Sequence, residues 1–134
     1  MLNPLVCVID DDDIHQYTTS RIINSTQLAQ KVLLFSDGEY ALDYFGENIN
    51  DIAKIPDVIF LDLAMPVMDG WQFLTEFIKL KPKARKSITL YLMSSSINPT
   101  DLKRARLISA VSDFIVKPFT KERCVEILNA LEVN

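Results

Sequence analysis

With 134 residues, 49% of them hydrophobic and 24% charged, the chain is long enough to bury a core without staples and too apolar for a disordered segment. A formal charge of -4 argues against general nucleic-acid binding, which rests on neutralising phosphates with a basic surface. No apolar run is long enough to span a bilayer and Met1-Leu2-Asn3-Pro4 lacks the basic region of a signal peptide, so the expectation is a cytoplasmic protein with no membrane contact. Cys7 and Cys124 lie far apart inside apolar patterns and form no C-x-x-C, which reads as two buried reduced thiols.

Leu5 to Ile9 is an apolar run that stops at the aspartates Asp10 to Asp13, and it is expected to be the first strand. From Ile14 to about Gln30 the pattern becomes helical, with Ile14, Tyr17, Ile22 and Leu28 roughly on one side and acidic residues at the start, where the helix dipole favours them. Lys31 to Phe35 reads as a second strand. Ser36-Asp37-Gly38 then turns the chain into a helix whose apolar side is Ala41, Leu42 and Phe45, and Gly46 to Pro56 forms a polar loop. Val58 to Leu61 is apolar at every position and ends in Asp62. Such a strand is covered on both faces, as in the interior of a parallel sheet. Pro66 and Asp69-Gly70 force the chain out of extended structure.

After Gly70, Phe73, Leu74, Phe77, Ile78 and Leu80 mark an amphipathic helix ended by Pro82. Lys79, Lys81, Lys83, Arg85 and Lys86 crowd around its end; cations are favourable at a helix C-terminus, so the segment reads as solvated surface. Ile88 to Met93 is expected to be the fourth strand, followed by Ser94-Ser95-Ser96. Asn98-Pro99 supplies an N-cap with proline at the first helical position, opening a helix to about Ser109. Phe114-Ile115-Val116 reads as the fifth strand, ending in Lys117-Pro118-Phe119. Thr120 caps a last helix with Cys124, Ile127, Leu128 and Leu131 at i, i+3, i+4 and i+7. Alternating strands and helices, with no internal repeat, imply one doubly wound α/β domain with right-handed connections.

Four strands thus end in polar groups: Asp10 and Asp11, Asp62, Ser94 and Lys117. A parallel sheet brings those ends to one rim, where open α/β sheets place their ligands. Carboxylates gathered there repel one another unless one is protonated or a cation joins them. Oxygen ligands without His or Cys nearby suit a hard cation, and Mg²⁺ is commonly held by one or two carboxylates plus a substrate phosphate. Lys117 and Ser94 could pair with further phosphoryl oxygens, and Asp62 is the carboxylate left to act as nucleophile. A calcium loop of the EF-hand kind starting at Asp10 or Asp11 would need Glu where Arg21 or Ile22 stands. With three glycines and neither a G-x-G-x-x-G nor a P-loop, nucleotide binding is not expected.

Ile9-Asp10-Asp11-Asp12, Leu61-Asp62-Leu63-Ala64-Met65-Pro66-Val67-Met68-Asp69-Gly70, Met93-Ser94-Ser95 and Val116-Lys117-Pro118-Phe119 together resemble the receiver domain of two-component response regulators, of the chemotaxis-regulator type. The resemblance covers essentially the whole chain. It implies a flavodoxin-like fold, a five-stranded parallel sheet in the order 2-1-3-4-5 flanked by five helices, and a single receiver domain over residues 1–134 that works alone, with no output domain. Asp62 then matches the phosphoacceptor, Asp11 the direct metal ligand, Asp10 its water-mediated companion and the backbone carbonyl of Ala64 a third protein ligand for Mg²⁺ (or Mn²⁺). Ser94 matches the hydroxyl that binds the phosphoryl group, with Ser95 left open by the run of serines. Lys117 matches the phosphate-pairing lysine, Pro118 the partner usually held in a cis peptide bond and Phe114 the aromatic switch position.

Phe114 departs from the Tyr of the chemotaxis type, so a switch rotamer there lacks a hydroxyl anchor. Ala64 and Ser96 lie near the approach of attacking water, which leaves the phosphoryl lifetime open. The implied protein is a phosphoacceptor rather than an enzyme, its partners a histidine kinase or histidine phosphotransfer protein and a downstream protein that reads the last two helices and the strand between them. A haloacid-dehalogenase-like phosphatase would need a second acid where Ala64 stands. A pseudo-receiver would have lost acidic or lysine positions, and none is missing. His15 reads as a surface residue, Trp71 as packed against the sheet, and Met65 and Met68 as loop packing.

Overall fold

The strands form where apolar β-formers run without interruption. In the computed structural model, which describes residues 3–65, 68–96 and 98–131, β1 (Leu5–Ile9) and β3 (Val58–Asp62) are buried at every position. They form the centre of a five-stranded sheet with β2 (Lys31–Phe35), β4 (Thr89–Ser94) and β5 (Val111–Val116). The order is β2-β1-β3-β4-β5 and each pairing is parallel, in the registers Val6↔Val32, Val6↔Val58, Asp62↔Met93 and Ser94↔Val116. This is the doubly wound, flavodoxin-like order expected.

Side chains alternate between two core layers, as the pleat requires. Cys7, Ile59 and Leu61 pack against α2 (Gly38–Glu47), α3 (Gly70–Leu80) and α4 (Pro99–Arg106) through Phe45, Phe73 and Ala105. Val8, Phe60 and Met93 pack on the other face against α1 (Asp13–Ser25) and α5 (Lys121–Ala130). Cys7 and Cys124 therefore belong to opposite layers. Both are free and buried, and burial raises both thiol pKa values, that of Cys124 to about 11.

Five expectations change. The first helix stops at Ser25 rather than near Gln30, because Gln27 adopts a left-handed backbone with φ of 58°. Its buried residues are Thr19 and Ile23, while Ile14 and Tyr17 are 80% and 61% exposed. At about 100° per residue Ile14 and Tyr17 lie opposite Thr19 and Ile23, so the apolar residues of the segment never form one stripe. The helix after Asn98 ends at Arg106, and β5 begins earlier than expected, at Val111. Lys86 is not solvated surface: it forms a buried ion pair with Asp57.

Candidate functional site

The rim is built by extending each ladder one step past its strand. Asp10 N–H donates to Phe35 O at 3.0 Å, Leu63 N–H to Met93 O at 2.9 Å and Lys117 N–H to Ser94 O at 2.8 Å. The polar residues that follow β1, end β3 and β4, and follow β5 therefore lie on one edge. Helix starts fix the loops between them. Asp12 caps α1, accepting from Ile14 and His15; Asp69 caps α3 in a capping box with Gln72. Gly70 lets α3 begin directly on the backbone of Leu63, donating its N–H to Leu63 O at 2.9 Å. A Cβ there would stand 2.9 Å from Leu63 Cα.

Asp10, Asp11 and Asp62 each bring a carboxylate oxygen within 4.8 Å of the others. Asp10 and Asp62 are buried, at 1% and 5% exposure. Lys117 reaches between them, its Nζ 3.4 Å from Asp62 Oδ1 and 3.6 Å from Asp10 Oδ2. The Lys117-Pro118 peptide is cis. Burial, and next the charge of Asp10, push the Asp62 carboxyl up to about 6, against the lowering by Lys117 and by the Ala64 N–H donated to Oδ1 at 3.2 Å. One ammonium does not offset three gathered carboxylates.

The family model for the response regulator receiver domain matches residues 6–129. The chain belongs to that family. Similar solved structures include a two component response regulator from Cytophaga hutchinsonii, 27% identical over 93% of both chains with a TM-score of 0.81. A response regulator receiver protein from Dyadobacter fermentans is 25% identical over 93% of this chain and 94% of that one, with a TM-score of 0.80. The chemotaxis protein CheY of Thermotoga maritima is 32% identical over 74 residues, 55% of this chain and 58% of that protein, so this match spans less than two thirds of either.

In this receiver, the structure brings Asp10, Asp11, Asp62 and Lys117 together, with Ser94 joined to Lys117 through the backbone. The Ser94 hydroxyl accepts the Ser96 N–H at 3.4 Å, and Ser95 is exposed. Phe114 pairs in register with Leu92, two residues before the rim, and is half-buried against the α2–α4 layer. Ala64 is exposed beside Asp62. Pro66 and Val67, named in the resemblance, lie outside the described residues.

The sequence reading of His15 as a surface residue, with no His near the carboxylates, is corrected here, and Gln16 was passed over. His15 Nδ1 contacts Asp10 Oδ2, and Gln16 Nε2 donates to Asp10 O at 3.1 Å. The signal was the N-cap: His15 is the third residue after Asp12, and side chains in a first turn point back toward the helix start. Trp71 packs against the core as expected, and the Arg104 guanidinium lies 4.4 Å from the centre of its ring. The three aspartates fit a hard divalent cation: all are oxygen donors, close enough to share one ion, and short of positive charge.

Proposed function

We propose that this receiver is a phosphorylation switch whose acceptor is Asp62. A histidine kinase or histidine phosphotransfer protein presents a phosphohistidine; an Asp62 carboxylate oxygen attacks phosphorus in line, the P–N bond breaks, and its electron pair returns to the imidazole. The observation that carries this reading is Lys117 set between Asp10 and Asp62, at 3.6 and 3.4 Å, on a rim that a receiver-family chain supplies. Lys117 pairs with a phosphoryl oxygen, the Ser94 hydroxyl donates to another, and Asp62 is the nucleophile. Asp10, Asp11, Asp62 and the Ala64 carbonyl would hold Mg²⁺ or Mn²⁺, which when bound neutralises charge on the transferred group.

Phosphorylation adds about 1.5 to 2 negative charges at the rim. Ser94 is drawn toward them and Phe114 turns into the space released, which biases the surface of α4, β5 and α5 toward a form that a downstream protein reads. The protein is a phosphoacceptor that catalyses its own transfer and dephosphorylation, with neither nucleic acid nor membrane as a direct partner. We place it in the cytoplasm with its kinase; among the described residues no helix is long and apolar enough to cross a membrane.

Intact mass after incubation with Mg²⁺ and acetyl phosphate, with Asp62→Asn in parallel, tests the reading. A single phosphoryl gain in the wild type alone, lost with EDTA, is the expected result. No adduct under conditions that label another receiver would leave a binding module of the unmodified form.

A further inference from the structure

His15 has no part in that mechanism, yet its position is built with care. It stands on the first turn of a surface helix, but its side chain is only 20% exposed and Nδ1 rests on Oδ2 of Asp10. The local chain makes this contact. Asp10 Oδ1 accepts the Asp12 N–H at 3.0 Å, and Asp12 Oδ1 accepts the N–H groups of Ile14 and His15 at 3.0 and 3.1 Å. The helix so capped turns the imidazole back over the end of β1. Both oxygens of a carboxylate 2% exposed are thereby engaged from one short segment.

We propose that His15 is a positioning residue for the cation site: its imidazole donates Nδ1–H to Asp10 and holds that carboxylate facing Asp11 and Asp62. The inference rests on reading the three aspartates as the seat of a divalent cation. His15 acts through Asp10 rather than on the ion, since the group of oxygens within 4.8 Å comprises the three aspartates. Lys117 lies on the same Asp10 oxygen at 3.6 Å, so His15 and Lys117 together fix where that oxygen points. An imidazole N–H orients the carboxylate and leaves its negative charge for the ion. Groups that hydrogen-bond metal-ligating side chains from behind typically change metal affinity by about 10- to 100-fold.

Calorimetric titration with Mg²⁺ and with Mn²⁺ tests this on the wild type, His15→Leu and His15→Asn, the last because an amide N–H can take the place of Nδ1–H. Unfolding of each variant in EDTA reports folding separately. The expected result is binding weakened by about 10-fold or more in His15→Leu and largely recovered in His15→Asn, with metal-free stability little changed. Failure of the wild type to bind either ion overturns the cation site itself and the inference with it. Binding by the wild type with unchanged or tighter binding by His15→Leu overturns the role of His15 alone. A loss that Asn does not recover makes the contact one of packing and also overturns the donated hydrogen bond.

Discussion

The Nζ of Lys86 lies 3.2 Å from Oδ1 of Asp57, and the two side chains are 5% and 8% exposed. Asp57 immediately precedes β3, so the pair closes the end of the sheet opposite Asp62. Asp57 Oδ2 accepts the Leu5 N–H at 2.7 Å, and Lys86 donates to Ile55 O at 2.6 Å, so both charges are hydrogen-bonded as well as paired. Removing one partner leaves the other charged and dry. Lys86→Met is expected to lower stability by about 3–5 kcal/mol, measured by urea unfolding. A loss under about 1 kcal/mol would mean that the pair behaves as an exposed one.

Asp62 makes the metal-free receiver less stable at neutral than at acid pH. Its carboxyl is held at about 6, above the ordinary 3.8, chiefly by burial and then by Asp10. The folded state therefore binds this proton more tightly than the unfolded chain. The contribution is neutral below 3.8, falls as pH rises from there to about 6, and is then a constant cost. That interval corresponds to at most about 3 kcal/mol. Denaturation in EDTA is expected to show Asp62→Asn more stable than wild type at pH 8, the gap closing below about pH 4. A gap independent of pH would contradict the raised value.

Two glycines give opposite expectations. An Ala at Gly70 meets Leu63 Cα at 2.9 Å and Asp62 O at 3.2 Å, backbone atoms that cannot swing aside, so α3 must shift against the loop after Asp62. Gly70→Ala is expected to cost about 1–3 kcal/mol and to slow labelling by acetyl phosphate. Gly46 lies within α2 and a Cβ there meets nothing within 4 Å. Gly46→Ala is expected to raise stability by about 0.4–1 kcal/mol without changing the labelling rate.

Thr19 is 1% exposed, and its hydroxyl has no hydrogen-bond partner among the described residues. Replacing a buried, unsatisfied hydroxyl by a methyl group of similar size removes a desolvation penalty. Thr19→Val is expected to leave stability unchanged or raise it by about 1 kcal/mol, read from the midpoint of thermal unfolding. A clear loss would show that the hydroxyl is satisfied in solution.

Much of the molecule was legible in the chain because its signals are local. Val58 to Leu61 is apolar at each position and ends in a carboxylate, and that alone marks a central parallel strand delivering Asp62 to a rim. The N-caps Asn98 and Thr120 announced their helices by short-range hydrogen-bond chemistry. Helix ends were less legible. The backbone of Gln27 ends α1 without a Gly or Pro to mark it, and α4 stops at Arg106 though the pattern runs on.

The sequence by itself determined the alternation of strands and helices and, with it, the gathering of Asp10, Asp11, Asp62, Ser94 and Lys117 on one edge, since parallel strands joined by crossover helices all end on the same side. Tertiary structure alone decided that Thr19 rather than Ile14 faces the core and that Lys86 is buried with Asp57. Those outcomes depend on the rotational phase of α1 over the sheet and on loop closure between segments distant in the chain. Neither is encoded in any short window of residues.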